Sequence, residues 1–429
     1  MSRNAHADSL IAFLNASPTP FHAVETAANR LSALGAMRLD EKEAWSLQPG
    51  QTAFVTRNGS SIVAIRVPAD VSRARFRIVA AHTDSPCLKL KPRSPVPSAN
   101  YRQWGVEVYG GVLYNSWLDR DLGVAGRVSR LDAEGRVKST LVRAETKPFR
   151  IPQLAIHLDR GVNDSGLVLN AQRHLQPVLG LTGESGSGPG LESWLEESIG
   201  ARFESLTFEL HLYDTLPAGY GGLGDDFVFS GRLDNLAMSH AALEAFCAEG
   251  AARDGIQVAA LFDNEEVGST SAQGANSNLI QAVLERVMLA LGRSREETLA
   301  ALARSHLVSA DMAHAIHPNY PEKHEPYHFP LLNHGPVIKG NANMRYATNG
   351  ETSALFRGLC AKAGVPCQDF INRTDLACGT TIGPHVAAAL GVPTVDVGNP
   401  MLSMHSAREM CGSEDHGMMI RAFREFYRE

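Results

Sequence analysis

The chain has 429 residues, 44% of them hydrophobic and 20% charged, with 38 Gly and 22 Pro and a formal net charge of −6. That is an ordinary globular composition with length for two or three domains, and mild acidity without a dense Lys/Arg run argues against a nucleic-acid or anionic-membrane surface. No stretch has the length of a membrane span or of a long apolar leader core. The six cysteines are scattered without a CxxC pair, which favours reduced thiols in a cytoplasmic setting over a disulfide scaffold or a zinc finger.

The chain opens with helical patterns: Leu10, Ile11 and Leu14, then "FHAVETAANRLSALG", with Gly35 placed to close the second helix. "QTAFVTRNGSSIVAIRVP" reads as a hairpin about Asn58-Gly59. "RFRIVAAHTDSP" reads as an apolar strand ending at His82. Beyond Pro92 the character changes, and short β-like runs with Gly-rich turns extend to about Phe229 ("WGVEVYGGVLY", "GVAGRVSRL", "RVKSTLVR", "LTFELHLYD"). "GLTGESGSGPGLES" within them reads as a mobile loop.

After "FSGRLDN" helices and strands alternate. "LAMSHAALEAFCAEG" reads as helix and "IQVAALF" as strand. "SNLIQAVLERVMLALG" has Leu279, Val283, Val287 and Leu291 on one face, and "HLVSA" and "VPTVDVG" are short buried strands. The rhythm predicts an α/β fold, a three-layer catalytic domain with a mostly parallel central sheet. That domain is split into residues 1–92 and 231–429 by a β-rich insert at 93–230.

Acids and histidines then collect at predicted strand ends. His82 and Asp84 follow "RIVAA", Glu265 and Glu266 follow "VAALF", Asp311 follows "LVSA", and His405 lies in the loop after "TVDVG". Asp234 stands at the edge of a predicted helix. In open α/β sheets the carboxyl ends of strands converge on one crevice. Carboxylates 4 Å apart repel by about 4 kcal/mol at an effective dielectric near 20, so their crowding needs a cause.

His82, Asp234, Glu266, Asp311 and His405 are oxygen and nitrogen donors suited to Zn²⁺, Co²⁺ or Mn²⁺. Five donors are too many for one catalytic ion with an open position, and they fit two ions sharing a carboxylate. Adjacent residues point in different directions, so Glu266 is expected to bind metal and Glu265 to act as general base. Asp84, two residues beyond His82 on the same side of an extended segment, is expected to hold the imidazole N–H.

Each piece alone has a plainer reading. "HTD" is an ordinary turn, "DNEE" a solvated loop, Asp234 a helix N-cap and Asp311 a turn cap. The joint pattern favours the metal site. The histidine-rich "HAIHPNYPEKHEPYHFP" (His314, His317, His324, His328) is read as a pocket-lining loop rather than a second metal site, and "CGTTIGP" as a tight turn packed near the site.

Taken in order, "AAHTDSP", "GRLDN", "DNEEVGS", "ADMAHAIHPNYPEKH" and "MHSARE" resemble the aspartyl aminopeptidase family of dinuclear metallopeptidases across almost the whole chain. The resemblance implies removal of N-terminal residues from peptides, often Asp or Glu. It also implies two divalent ions per subunit, an insert that serves dimerisation, and a homo-oligomer, a dodecamer built from dimers. In the implied ligand set Asp234 bridges the ions, His82 and Asp311 complete one shell, and Glu266 and His405 complete the other. Glu265 matches the family's catalytic carboxylate. Lys339 and Tyr346, in "IKGNANMRYATNG", match residues that meet an acidic substrate side chain, and His157, in "QLAIHLDR", matches a histidine reaching a neighbouring active site. Competing expectations are an aminopeptidase preferring neutral residues, carboxypeptidase or deacylase chemistry on the same fold, and a metal-bound scaffold without activity.

Overall fold

The computed structural model describes residues 4–182, 190–248 and 255–429. Residues 183–189, the centre of the expected mobile loop, lie outside the described part. The chain divides into two compact units. The first holds the chain up to Ser85, Ala218–Met404 and Glu409–Glu429; the second holds Pro86–Pro217 and His405–Arg408.

The first unit is built on a nine-stranded mixed sheet. Four central strands run parallel in the order Gly255–Phe262, Arg75–His82, His306–Ala310 and Thr394–Gly398. All eight residues of Gly255–Phe262 are buried, as expected of a strand covered on both faces. On one side the hairpin Thr52–Arg57 and Ser61–Arg66 joins antiparallel, with Met37–Leu39 at the rim. On the other, Val337–Gly340 pairs antiparallel with Thr394–Gly398 and parallel with Gln368–Ile371. The hairpin turns at Asn58 and Gly59, both at positive φ (56° and 69°), and includes Ser60, one residue more than a two-residue turn requires.

Side-chain alternation sorts the strand residues into two cores. Phe54, Ile62, Val79, Ala81, Leu261, Val308 and Val397 pack with helices Ala5–Ala16, Pro20–Ala33, Leu233–Ala248, Gly350–Ala363 and Asp415–Arg428. Val55, Val63, Ile78, Ala80, Val258, Phe262 and Leu307 pack with Leu279–Ala290, Arg295–Ala303 and Ile382–Leu390. Helices therefore cover both faces of the sheet. Gly35 (φ +79°) follows the end of Pro20–Ala33 as the apolar pattern indicated. No helix among the described residues is long and apolar enough to cross a membrane.

The first unit carries a further five-stranded sheet, ordered Gly219–Gly221, Phe227–Ser230, Glu409–Gly412, Pro400–Leu402 and Ala313–His314. Its first two strands explain why the unit resumes at Ala218, ahead of the composition change near residue 230. Phe227–Ser230 is hydrogen-bonded to Glu409–Gly412 rather than to the β-rich segment before it. The other break falls at Ser85, ahead of the composition change at Pro92, because Cys87–Ser98 pairs at both its ends with Tyr101–Tyr109, with a register shift between Leu90 and Pro95.

The second unit is an antiparallel six-stranded sheet, ordered Val137–Phe149, Leu122–Leu131, Thr207–Asp214, Cys87–Ser98, Tyr101–Tyr109 and Val178–Leu181. Its core gathers Leu88, Trp104, Leu122, Val124, Leu210 and Leu212.

Candidate metal centre

Register in the parallel sheet decides which side chains meet. His82 is the last residue of its strand and lies opposite Phe262, while Ala80 lies opposite Ser309. Chain that leaves these three strands therefore starts from one edge, and that edge receives His82-Thr83-Asp84, Asp263 to Glu266, and Asp311.

Asp234 arrives from another direction. It precedes the regular part of Leu233–Ala248, where Asp234 and Asn235 have non-helical dihedrals. Hydrogen bonds clamp this turn to the strand ends: Ser85 Oγ donates to Asp234 O (2.5 Å), Asn235 Nδ2 to Ala310 O (2.9 Å), and Ser239 Oγ to His82 O (2.6 Å). Asp234 N donates to Glu409 Oε2 at 3.1 Å.

His82 is buried, and its Nε2 has no hydrogen-bond partner among the described residues. Three carboxylate oxygens face that nitrogen: Asp311 Oδ1 at 3.5 Å, Asp234 Oδ1 at 3.6 Å and Glu265 Oε2 at 4.0 Å. Donors bound to one tetrahedral ion at about 2.0–2.1 Å stand about 3.3 Å from each other. The two shorter separations approach that value, and they suit donors turned toward a common point. Single ligand atoms of His82, Asp234 and Asp311 all lie within 4.8 Å of one another, as do those of His82, Glu265 and Glu266. The donor set thus fits a zinc-type ion.

Asp84 is fully buried and ties two strand ends together. Its Oδ1 accepts from Glu265 N (3.2 Å) and its Oδ2 from Glu266 N (3.1 Å). Both its Oδ1 (3.3 Å) and its carbonyl oxygen (3.1 Å) lie beside His82 Nδ1. That neighbourhood assigns the ring proton to Nδ1 and leaves the Nε2 lone pair facing the carboxylates.

The proton affinities reflect the crowding. Burial pushes the Glu265 carboxyl up to about 8, and Asp311, Asp84 and Asp234 add to the rise against the opposing effect of His82. Burial and then Asp234 push Glu266 well above the usual carboxylate range. Burial disfavours charge on His82, yet Asp311 and Asp84 reverse this and raise it well above its ordinary value. Burial likewise opposes ionisation of Asp311, but Lys339 and His82 hold it below its ordinary range. Acids that retain protons when alone and surround an imidazole are poised to exchange those protons for a cation.

Lys339 lies in Val337–Gly340 with 2% exposure. Its Nζ donates to Asp311 Oδ2 and to Met312 O, both at 3.1 Å, and stands 5.1 Å from the Tyr346 ring centroid. Tyr346 is buried, and burial and a hydrogen bond with Cys378 raise its phenol above the ordinary value. The Lys339–Asp311 pair carried no sequence signal, because it depends on the order of strands in the sheet. Glu409 was also missed, although it closes the quoted "MHSARE". So was Asp396, which accepts from Ser309 Oγ, Thr381 Oγ1 and Ala347 N, each at 2.6 Å. A Cβ on Gly383 would meet the Asp396 carboxylate at 2.4 Å, a close approach that explains the glycine in "CGTTIGP".

The histidine-rich loop contributes His314, His317 and His324, with Lys323 and Arg373, to a cavity of about 320 Å³ in the first unit. His328 instead pairs with Glu325 at 2.7 Å.

His405 and His157 belong to the second unit. His405 opens the segment His405–Arg408 at φ +68°, with its Nδ1 2.9 Å from Gly111 O. His157 is exposed in the short 3₁₀ turn Ile156–Leu158.

Comparison with known proteins adds an independent line. The family described as aminopeptidase I zinc metalloprotease (M18) matches residues 13–427. A probable M18 family aminopeptidase 2 from Streptomyces coelicolor is 46% identical over 426 residues, covering 98% of this chain and 97% of the relative. A probable aspartyl aminopeptidase from Ricinus communis is 43% identical over 463 residues, covering 98% and 94%. Among solved structures, the S. cerevisiae mApe1 dodecamer superposes with a TM-score of 0.83 at 30% identity, over 99% of this chain and 96% of that one.

Proposed function

We propose that this chain, which belongs to the aminopeptidase I zinc metalloprotease (M18) family, removes the N-terminal residue of peptides with two divalent ions per subunit and prefers Asp or Glu at that position. As a family member it is a metallopeptidase, and so a hydrolase. The observation that carries the metal reading is the buried His82 Nε2, without a hydrogen bond among the described residues and faced by Asp311, Asp234 and Glu265.

In the proposed set Asp234 would be shared, His82 and Asp311 would hold one ion, and Glu266 and His405 would hold the other. Zinc suits these donors, and cobalt or manganese fit the same chemistry. Once bound, the ions would supply Lewis-acid polarisation of the scissile carbonyl and make water nucleophilic near neutral pH. Glu265 takes the proton of the attacking water on its carboxylate and hands it to the departing amine. Asp84 keeps the His82 proton on Nδ1 and, through two backbone N–H groups, fixes the direction of Glu265 and Glu266.

Lys339 and Tyr346 are proposed to recognise the acidic side chain of the substrate. A buried ammonium rewards a carboxylate and leaves an apolar side chain without recompense, and the Ricinus relative's description supports this choice. One observation favours the alternative, a preference for neutral residues: Lys339 Nζ already serves Asp311 and Met312. His157 is proposed to reach a neighbouring subunit's active site. The β-rich insert at 93–230 is proposed to serve dimerisation within a dodecamer, supported by the assembly that the solved yeast relative is described as. Six cysteines outside any disulfide accord with a cytoplasmic setting.

A panel of peptides differing only in the N-terminal residue, assayed with Zn²⁺, Co²⁺ and Mn²⁺, tests the reading. Higher kcat/KM for Asp and Glu is expected. Cleavage of peptides blocked at the N-terminus would overturn the aminopeptidase assignment in favour of deacylase or carboxypeptidase chemistry.

A further inference from the structure

Away from the acidic cluster, the helix Gly350–Ala363 and the strand Gln368–Ile371 bring two of the six cysteines together. Cys360 lies in the last turn of the helix with 1% exposure. Gly364 ends the helix at φ +63°, a conformation that suits glycine. Val365 N donates to Cys360 O at 3.0 Å, so the chain doubles back through Val365 and Pro366. Cys367 then stands half-buried against the core that holds Cys360, and each thiol shifts the proton affinity of the other.

Arg357, one turn before Cys360, is held by the Asp369 carboxylate at 2.5 and 2.6 Å, and its Nη1 lies 3.7 Å from Cys367 Sγ. A buried thiol, a partly accessible thiol packed against the same core seven residues on, and a fixed guanidinium beside the accessible one are the parts of a reactive dithiol. Neither sulfur has a part in the hydrolysis proposed above.

We propose that Cys360 and Cys367 form a reversible dithiol–disulfide pair oxidised by hydroperoxides. Cys367 is the attacking sulfur. The hydrogen bond from Cys360 and the Arg357 guanidinium lower its pKa below the ordinary thiol value, whereas the same hydrogen bond and burial raise Cys360. The Cys367 thiolate attacks the distal peroxide oxygen and the O–O bond breaks. The departing alkoxide or hydroxide takes up the proton that Cys367 had shed, leaving a sulfenic acid. Cys360 sulfur then attacks Cys367 sulfur, the S–O bond breaks, and the Cys360 proton leaves with the hydroxide as water. Two thiols have lost two electrons, and one hydroperoxide has become water and an alcohol, or two waters. The new bond would tie the helix to the edge strand in which Phe370 lies opposite Lys339.

The test uses the metal-loaded enzyme treated with stoichiometric hydrogen peroxide, then alkylated and digested with trypsin. Cleavage after Arg357, Lys362 and Arg373 places the two cysteines in separate peptides. The expected result is loss of two of six thiols, a cross-linked pair of those peptides, and full reversal by dithiothreitol. In Cys360→Ser, Cys367 should accumulate as a dimedone-trapped sulfenic acid without cross-link, and Cys367→Ser should slow thiol loss at least tenfold. Loss of all six thiols at one rate in the unaltered enzyme would overturn the proposal. So would oxidation of Cys367 to sulfinic acid with no cross-linked peptide.

Discussion

Asp84→Asn isolates the orienting carboxylate while keeping its shape. Asp84 is fully buried, so solvent does not screen the change. In the native chain its two oxygens accept from Glu265 N and Glu266 N, and Oδ1 also lies beside His82 Nδ1. Hydrogen bonds to a charged acceptor contribute about 1.5–3 kcal/mol each. An amide keeps one of the two, at neutral strength, and turns an NH₂ group toward the other donor, so the local loss is about 2–4 kcal/mol. In the metal-free protein Glu265 and Glu266 hold their protons, so the change relieves little repulsion there and the stability of that form should fall within the same range. The metal-loaded protein would lose in addition the orientation of Glu266 and of the His82 ring toward the ions. Zinc affinity should consequently fall 10- to 100-fold, the usual effect of losing an outer hydrogen-bond partner, or about 1.4–2.7 kcal/mol of binding free energy. Competition with a chelator of known affinity at pH 7.5 reads this directly, and thermal midpoints of the two forms should show a smaller gain on zinc binding than in the parent. Affinity within twofold of the parent would refute the orienting role.

Glu265→Gln should retain bound zinc while kcat on aminoacyl substrates falls by orders of magnitude; activity surviving at a tenth of the parent would remove Glu265 from proton transfer. Lys339→Ala should lower kcat/KM for Asp and Glu substrates tenfold or more relative to Leu substrates, whereas equal losses would assign Lys339 to Asp311 alone. His416 is buried, stacked with His240 and bonded to it at 2.8 Å, and burial holds it down at about 3. The unfolded chain takes up that proton near pH 6.5 and the folded one does not. The contribution of His416 is therefore present above pH 6.5 and is lost by about 1.4 kcal/mol per unit as pH falls toward 3. His416→Gln should flatten the decline of the thermal midpoint between pH 7 and 5, and parallel profiles would count against the argument.

Much of the first unit was legible because its strands are written as unbroken runs of Val, Ile, Ala and Leu, and only a buried parallel sheet accepts such runs on both faces. Once Arg75–His82, Gly255–Phe262 and His306–Ala310 are parallel and in register, the residues that follow them must leave from one edge. His82, Glu265 and Asp311 could therefore be placed near each other from strand endings alone. The hairpin at Asn58-Gly59 and the helix end at Gly35 were legible for a local reason, since both depend on positive φ. The five-stranded sheet was not legible. Ala313–His314, with two residues, and Gly219–Gly221, with three, are too short to carry a period, and their partners lie far along the chain.

The same distinction explains the side chains that were missed or incompletely read. Asp84 announced its link to His82 through a spacing of two, but its bonds to Glu265 N and Glu266 N span 181 and 182 residues. Lys339 reaches Asp311 only because Val337–Gly340 pairs antiparallel with Thr394–Gly398, which in turn pairs with His306–Ala310. Residue type and strand endings select which donors gather at the edge. The order of strands then decides which neighbour holds each donor still, and so it is strand order that makes Asp84 a cross-brace between two strand ends rather than a partner of His82 alone.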